Sequence, residues 1–168
     1  MAEIGATYII NCYNTGKIIS TGENSTDSYA GGIVGGEYAA TINIINCYNL
    51  GDIKAKKQGG GILAGGIAGT TTISNCYNMG NVNGATSLTI GSGTIEKCYY
   101  LDGVGTTLNG VALTKNQLLN KDIVENDKYI IDLLNSYVTT YNENNDKKLS
   151  IWKSDTNTGY PTFEWFIL

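Results

Sequence analysis

Four cysteines are the residues of this chain best suited to chemistry, and each one lies inside a near-copy of a single short phrase. The phrase reads IINCYNTGKI at residues 9–18, IINCYNLGDI at 44–53, ISNCYNMGNV at 73–82 and, with more changes, IEKCYYLDGV at 95–104. A thiol in such a phrase can bind a metal, form a disulfide, act as a nucleophile or pack in a core. The choice among these four roles decides much of what can be inferred about function.

The composition argues against the metal and nucleophile roles. The chain has no histidine, and its eleven basic residues are all lysines. Histidine zinc ligands, Cys-His pairs and arginine clamps are therefore excluded. No two cysteines have the close spacing of a zinc site, and the only basic neighbour in sequence is Lys97, beside Cys98. We expect no enzyme activity, no metal and no cofactor.

The repeated phrases predict the fold that positions the thiols. They recur at unequal intervals, contain β-branched residues and are interrupted by glycine and asparagine, a pattern typical of short strands joined by tight turns. No helical period runs through this part. Residues 1–110 are therefore predicted to form a mainly β structure, a β-solenoid whose successive turns stack through parallel sheets. The glycine runs GGIVGG (31–36) and GGGILAGGIAG (59–69) lack the features of a phosphate loop and fit close packing.

Stacking decides between the two remaining roles of the thiols. Neighbouring turns lie about 4.8 Å apart, within reach of a disulfide, but stacked side chains point in parallel rather than toward each other. We therefore expect a buried ladder of free thiols. Its members are Cys12, Cys47, Cys76 and Cys98. All four should resist alkylation in the native protein and react after denaturation without a reductant.

Strict strand alternation would place Ile73 and Cys76 on opposite faces of the sheet. In the fourth copy, however, Glu96 and Lys97 stand together and both favour water. We therefore expect a bend that turns the isoleucine and the cysteine inward together. The asparagines on either side of each cysteine would then form side-chain ladders at the corners. They are Asn11, Asn46 and Asn75 on one side and Asn14, Asn49 and Asn78 on the other.

A tyrosine follows each cysteine and supplies a candidate binding surface. The four are Tyr13, Tyr48, Tyr77 and Tyr99. If they face outward, they form an aromatic stripe that could stack on sugars or anchor a protein. If they face inward, they cover a neighbouring sheet or the C-terminal segment. The sequence leaves both alternatives open.

Two weaker candidates for chemistry come from acidic residues. The run DTNTG offers Asp155 and Asn157 as oxygen ligands for calcium, but it lacks further acidic ligands and better fits a tight turn. The carboxylates of the repeats share no spacing that would indicate a glycosidase pair. They are Glu37, Asp52, Glu96 and Asp102.

Residues 111–168 follow a different pattern and predict a small α+β cap over the open end of the solenoid. Thr114 and Gln117 have the spacing of a capping box, and a second helix is predicted to start at Asn126. Its apolar stripe comprises Tyr129, Ile130, Leu133, Leu134, Tyr137 and Val138. A loop is expected at 142–148, followed by two strands, SIWKS and YPTFEWFIL, around a turn at 155–159.

The phrases and the tail together resemble a known family. GGIVGG, GGIAG and NCYNxGxI, with the closing IWKSDTNTGYPTFEW, are similar to the GLUG-motif repeats of bacterial cell-surface and adhesin-like proteins. The resemblance covers residues 4–105 and 151–165, and the fourth copy departs from it by having Lys97 and Tyr100 in place of asparagines. It implies a secreted or surface-attached repeat region, part of a longer parent chain, with no catalytic residues to carry over.

Charge and hydropathy limit the partners. The net charge is −4 and the lysines do not form a broad basic patch, so we expect no nucleic acid. No apolar run is long enough to predict membrane insertion. The sequence therefore predicts a non-catalytic structural spacer or adhesion region, with a host or cell-surface protein or glycan as its partner. The alternative is a carbohydrate-binding module that uses the tyrosine stripe.

Overall fold

The computed structural model describes residues 6–22, 28–36, 41–64 and 70–164. The predicted mainly β, solenoid-like fold is confirmed. Each copy of the phrase opens one turn of the solenoid, here called a rung, and its strands pair in parallel with those of the next rung. The register places Ile44 beside Ile9 and Ile73, so that equivalent residues of the phrase lie over one another.

The strands are short. The first rung contains β1 (Thr7–Ile10), β2 (Tyr13–Asn14), β3 (Ile18–Ile19), β4 (Tyr29–Gly31) and β5 (Val34–Gly35). The second contains β6 (Ile42–Ile45), β7 (Tyr48–Asn49), β8 (Ile53–Lys54), β9 (Gln58–Gly60) and β10 (Leu63–Ala64). The third contains β11 (Thr71–Ser74), β12 (Tyr77–Asn78), β13 (Val82–Asn83) and β14 (Thr86–Leu88). The fourth contains β15 (Thr94–Glu96) and β16 (Tyr99–Leu101), and β17 (Val111–Leu113) follows it.

Equivalent strands build the sheets along the stack, which we call the array. Their orders are β1-β6-β11-β15, β2-β7-β12-β16-β17, β3-β8-β13 and β4-β9-β14, with β5 beside β10. Equivalent residues are separated by 35, 29 and 22 positions in successive rungs, as the cysteines are. Because the strands keep their register while the rungs shorten, the connections between strands absorb the difference.

The glycines of the second and third phrases, Gly51 and Gly80, allow the rungs to approach. A Cβ atom on Gly51 would lie 2.0 Å from the carbonyl oxygen of Gly16, and one on Gly80 would lie 1.9 Å from that of Gly51. These distances are far inside van der Waals contact, so any side chain here would push two rungs apart. In the second glycine run, a Cβ on Gly60 would lie 1.8 Å from the Leu63 carbonyl oxygen. Residues 65–69 of that run lie outside the described residues.

The C-terminal part contains two helices and a hairpin. They are α1 (Lys115–Leu118), α2 (Ile130–Asn144), β18 (Trp152–Ser154) and β19 (Pro161–Phe163), the two strands being antiparallel. The capping box of α1 is present, with hydrogen bonds in both directions between Thr114 and Gln117. We call residues 114–163 the flanking segment.

Two sequence-based details of the flanking segment are wrong. The second helix begins at Ile130 rather than at Asn126, because Asn126 has φ 48° and lies in a tight turn between Glu125 and Lys128. The helix also continues to Asn144, into the expected loop at 142–148. The last residues of the predicted final strand, 165–168, lie outside the described residues.

The flanking segment packs along the side of the array, whereas the sequence predicted a position over its end. Its main-chain carbonyls accept hydrogen bonds from one asparagine of each of the first three rungs: Lys148 from Asn11, Ser150 from Asn46 and Leu134 from Asn75. The described residues form three apolar clusters, the smallest of which comprises Ala30, Ile53, Ala55 and Val82. The inner core lies within the rungs and includes Ile44, Cys47, Ile62, Leu63, Ile73, Cys76, Ile90 and Cys98. The outer core lies between the array and the flanking segment and includes Tyr48, Tyr77, Tyr99, Leu118, Ile130, Leu134, Val138, Trp152 and Phe163.

Neither helix within the described ranges is long and apolar enough to cross a membrane.

Candidate functional site

The four thiols are all free, and three of them are buried in the inner core. Cys47, Cys76 and Cys98 are at most 1% exposed, whereas Cys12 is exposed. Each sulfur lies close to the backbone of its own rung and of the one before it. The Cys47 backbone N–H, for example, donates to Cys76 Sγ at 3.3 Å, and that sulfur donates to the Ser74 carbonyl at 3.1 Å. Burial raises the pKa of the Cys76 thiol, which opposes formation of a nucleophilic thiolate.

Cys12 departs from the predicted burial for a positional reason. It belongs to the first rung, so no described rung covers its outer side. Its backbone N–H donates to Cys47 Sγ at 3.4 Å, which continues the pattern of the other thiols. The thiol ladder is therefore buried at Cys47, Cys76 and Cys98, and Cys12 is the exposed end of the same column.

The expected bend is a single residue in the left-handed conformation. Asn11, Asn46 and Asn75 have φ of 55°, 58° and 53°, and Lys97 has 49° in the fourth rung. Asparagine tolerates this region better than most residues. One left-handed residue breaks the alternation of side chains, so that Ile44 and Cys47 both enter the inner core while the intervening Asn46 points to the flanking segment.

The asparagines form two side-chain ladders, as the sequence predicted. On the first, Asn75 Nδ2 donates to Asn46 Oδ1 at 2.7 Å, and Asn46 Nδ2 donates to Asn11 Oδ1 at 2.8 Å. The bonds of this first ladder run from later rungs to earlier ones. Within the described part of the chain, the Oδ1 of Asn75 is buried without a hydrogen-bond partner, because Lys97 replaces the next asparagine.

The second ladder runs in the opposite direction. Asn14 Nδ2 donates to Asn49 Oδ1 at 2.8 Å, and Asn49 Nδ2 donates to Asn78 Oδ1 at 2.7 Å. Each of these amides also closes its own turn: the Asn49 side chain accepts from the Gly51 N–H and donates to the Gly51 carbonyl. The polar atoms of these buried amides are therefore engaged in hydrogen bonds that hold the fold together.

The tyrosines form a stacked column, but three of the four are not exposed. The rings of Tyr13 and Tyr48 lie 5.1 Å apart at 9°, and those of Tyr48 and Tyr77 lie 5.2 Å apart at 3°. Trp152 covers both Tyr48 and Tyr77, with ring centroids 5.7 Å from each. Tyr48, Tyr77 and Tyr99 are at most 4% exposed, against 49% for Tyr13. Of the two alternatives that the sequence left open, the inward one therefore holds for Tyr48, Tyr77 and Tyr99, which pack against the flanking segment.

The buried phenols also use their polar ends in packing. The Tyr77 hydroxyl donates to the Pro161 carbonyl at 2.5 Å, and the Tyr48 hydroxyl lies 3.0 Å from Thr162 Oγ1. Burial raises the pKa of Tyr77, and it raises the pKa of Tyr99 to about 12 with a contribution from the Glu125 carboxylate. These phenols stay protonated at neutral pH and act as packing groups.

The calcium candidate is a turn. One oxygen of Asp155, Oδ1, accepts from the Asn157 N–H at 3.0 Å, from the Thr158 N–H at 2.7 Å and from Thr158 Oγ1 at 2.9 Å. These bonds, led by that from the Thr158 backbone, lower the pKa of Asp155. Asn157 contributes its backbone to this turn. No cluster of three or more metal-ligating side chains occurs among the residues that the structure describes.

The carboxylates of the repeats do not gather into one site. Asp52 accepts hydrogen bonds from the backbone and side-chain nitrogens of Asn81, both at 3.0 Å, and Glu96 lies 3.4 Å from Ser74 Oγ. Asp102 lies in a turn after β16, and Glu37 falls outside the described residues.

The sequence did not predict a groove between the fourth rung and α2. Two adjoining cavities of about 310 and 480 Å³ share the lining residues Lys97, Tyr99, Glu125 and Tyr137. The groove is amphipathic, with charges of both signs around aromatic rings. It forms because Lys97 replaces the ladder asparagine and the flanking segment passes beside it. The only sequence signal was the divergence of the fourth phrase, since Glu125 and Tyr137 are remote along the chain.

Comparison of the chain with family models, with curated proteins and with solved structures finds no match.

Proposed function

We propose that this chain is a non-catalytic repeat module of a secreted or surface-attached bacterial protein, acting as a structural spacer or adhesion region. The observation that supports the proposal is that the buried thiols, amides and phenols of the phrase form hydrogen bonds between rungs or to the flanking segment. In the described ranges, the hydrogen-bond partners of the buried sulfurs are backbone groups, and none is a base or a cation that would activate a thiol. The likeness of the phrases to GLUG-motif repeats supports the surface location.

Two measurements on the purified chain test this proposal. A panel of polysaccharide and ester substrates should show no turnover above a boiled control. Incubation with bacterial or host cells should show either no retention, which indicates a spacer, or saturable retention that protease treatment of the cells removes, which indicates adhesion to a protein. Turnover that is lost with a single carboxylate substitution would contradict the proposal.

A second candidate function, saccharide binding, is supported by the groove beside the fourth rung. Its half-buried Tyr137 and its charged side chains provide a ring and hydrogen-bonding groups of the kind that bind sugars. A glycan array tests it: binding to one saccharide class, lost with Glu125→Ala but kept with Glu143→Ala on the exposed side of α2, would support this function. No binding across the array would reject it.

A further inference from the structure

The first rung presents the same amide, thiol and ring groups that link it to the second rung and the second to the third, and its outer side is open within the described residues. We propose that this N-terminal face is a binding site for one further β-segment carrying the phrase Asn-Cys-Tyr-Asn, added in parallel beside β1 and β2. The inference depends on the stacking geometry alone and is independent of the proposed function.

The amide ladders define what this face can accept. Asn46 and Asn75 each donate two hydrogen bonds from Nδ2, one to the preceding asparagine and one to the flanking segment. Among the described residues, Asn11 donates only the second of these, to the Lys148 carbonyl at 3.2 Å. Its other N–H is therefore available for the Oδ1 of an asparagine in a preceding rung.

At the first rung of the described structure, the second ladder has an unused acceptor, whereas the first ladder has an unused donor. The Oδ1 of Asn49 accepts from the Gly51 N–H and from Asn14 Nδ2. Asn14 Oδ1 accepts, within the part of the chain that the structure describes, only from the Gly16 N–H, at 3.1 Å. A preceding rung would thus need an amide acceptor opposite Asn11 and an amide donor opposite Asn14. Two asparagines at the spacing of the phrase supply both.

The sulfur column supports the same register. The cysteine N–H of one rung donates to the sulfur of the next rung, from Cys12 to Cys47 and from Cys47 to Cys76. Cys12 Sγ donates to the Ile10 carbonyl at 3.3 Å and accepts from no described N–H of a neighbouring rung. A cysteine N–H in the incoming segment would fill this position.

Exposed apolar surface on the same face supports burial by another rung. In the first rung, Tyr13 and Ile19 are 49% and 50% exposed. The tyrosine that follows Tyr13 in the column, Tyr48, is 4% exposed once it is covered on both sides. Covering such side chains is favourable at roughly 25 cal/mol for each Å² of apolar surface.

The opposite end of the array explains why the occupant is not a second copy of this chain. There the phrase reads Lys-Cys-Tyr-Tyr, and Lys97 and Tyr100 interrupt both amide ladders. Two copies joined end to end would place Lys97 against Asn11. They would place Ala112 of β17, which pairs beside Tyr100, against Asn14, and neither residue supplies the amide that the ladder needs there. The N-terminal face of the array can therefore accept a segment that carries the phrase, and the C-terminal face cannot.

A duplication tests the proposal in the full chain. A second copy of residues 6–40 is inserted before residue 6, and alkylation of each cysteine in the native protein is followed by peptide mass spectrometry. We expect labelling of the original Cys12 to slow by at least about tenfold, the factor given by about 1.4 kcal/mol of local opening free energy. The cysteine of the inserted copy should label in its place. The matched control carries Asn11→Lys and Asn14→Tyr in the inserted copy only, and should leave Cys12 reactive.

Protection of Cys47, Cys76 and Cys98 serves as the check of folding in both variants. Unchanged labelling of Cys12 in a folded duplicated chain would overturn the proposal, as would equal protection in the control. If the duplicated chain does not fold, the acetylated peptide TINIINCYNLGDIK, residues 41–54, is added to the unaltered protein. Slower hydrogen exchange at residues 7–19 with this peptide, and not with one carrying Asn46→Lys and Asn49→Tyr, supports the site. No difference between the two peptides, or self-association of the protein alone, rejects it.

Discussion

The asparagine before each cysteine determines more of this structure than the cysteine does. Its left-handed backbone turns the chain, and its amide links neighbouring rungs to one another and to the flanking segment. Where it is replaced by Lys97, the corner remains but the ladder ends and leaves Asn75 Oδ1 without a partner in the described structure. A lysine in the left-handed region and a buried unpaired carbonyl both cost stability.

The first prediction concerns the replacement of Lys97 by asparagine. Lys97→Asn should place an amide where it donates to Asn75 Oδ1 and should suit φ 49° better than lysine does. We expect the free energy of unfolding to rise by about 1–2 kcal/mol, measured by urea denaturation. Lys97→Ala is the matched control, because it removes the lysine without supplying an amide. Equal stability of the two variants would show that the ladder does not extend.

The second prediction concerns the thiols. Under native conditions Cys12 should be alkylated, while Cys47, Cys76 and Cys98 stay unmodified because they are buried. After denaturation all four should react without a reductant, since all four are free. Intact-mass measurement of the number of added groups gives the result directly. Three or more groups added to the native protein would contradict the buried ladder.

The third prediction is a loss of stability at alkaline pH. The pKa of Tyr99 is about 12 in the folded chain and about 10 in an unfolded one. Between these values the unfolded state releases the phenolic proton and the folded state keeps it, so raising the pH favours unfolding. Tyr99→Phe should flatten the fall of stability between about pH 10 and pH 12, measured by urea denaturation at each pH.

At the scale of elements, the hairpin β18–β19 joins the two parts of the molecule through Trp152. Its ring packs on Tyr48, Tyr77 and Phe163, and its Nε1 donates to Asn46 Oδ1 at 2.6 Å. The indole thus contacts the tyrosine column and the first asparagine ladder at once.

The fourth prediction follows from that contact. Trp152→Ala should lower the free energy of unfolding by about 3–5 kcal/mol, since a large buried ring is lost. Trp152→Phe keeps an aromatic ring and loses the hydrogen bond, so its cost should be smaller. Chemical denaturation of both variants measures the difference. An alanine variant as stable as the phenylalanine variant would mean that the ring does not hold the flanking segment.

The repeats made these elements partly predictable. The phrase, its spacing and its glycines were enough to predict a parallel solenoid with stacked cysteines and asparagines. The direction of the tyrosines was not predictable, because it depends on the left-handed corner and on a segment 100 residues away that covers them. The start of α2 was misplaced because Asn126 suits a tight turn as well as a helix N-cap. The groove beside the fourth rung was missed because its walls meet only after folding.

At the scale of the whole molecule, the array and the flanking segment share the outer core and should not unfold separately. Buried tyrosines of three rungs and buried residues of α2 and the hairpin belong to one apolar cluster. The fifth prediction is therefore a single cooperative unfolding transition. Hydrogen exchange of α2 and of β6 and β11 should report the same denaturant midpoint. Two separate midpoints in the unaltered protein would contradict it, and Trp152→Ala is the variant in which they should begin to diverge.

The long separation in sequence between Asn46 and Trp152 has a consequence for biosynthesis. The two residues are 106 positions apart, so at typical elongation rates the ribosome needs roughly 5 to 20 s to add the second after the first. During that time Tyr48 and Tyr77 are not yet covered by the indole ring of Trp152. A nascent chain of this kind offers newly made aromatic surface to chaperones until its last strands leave the exit tunnel.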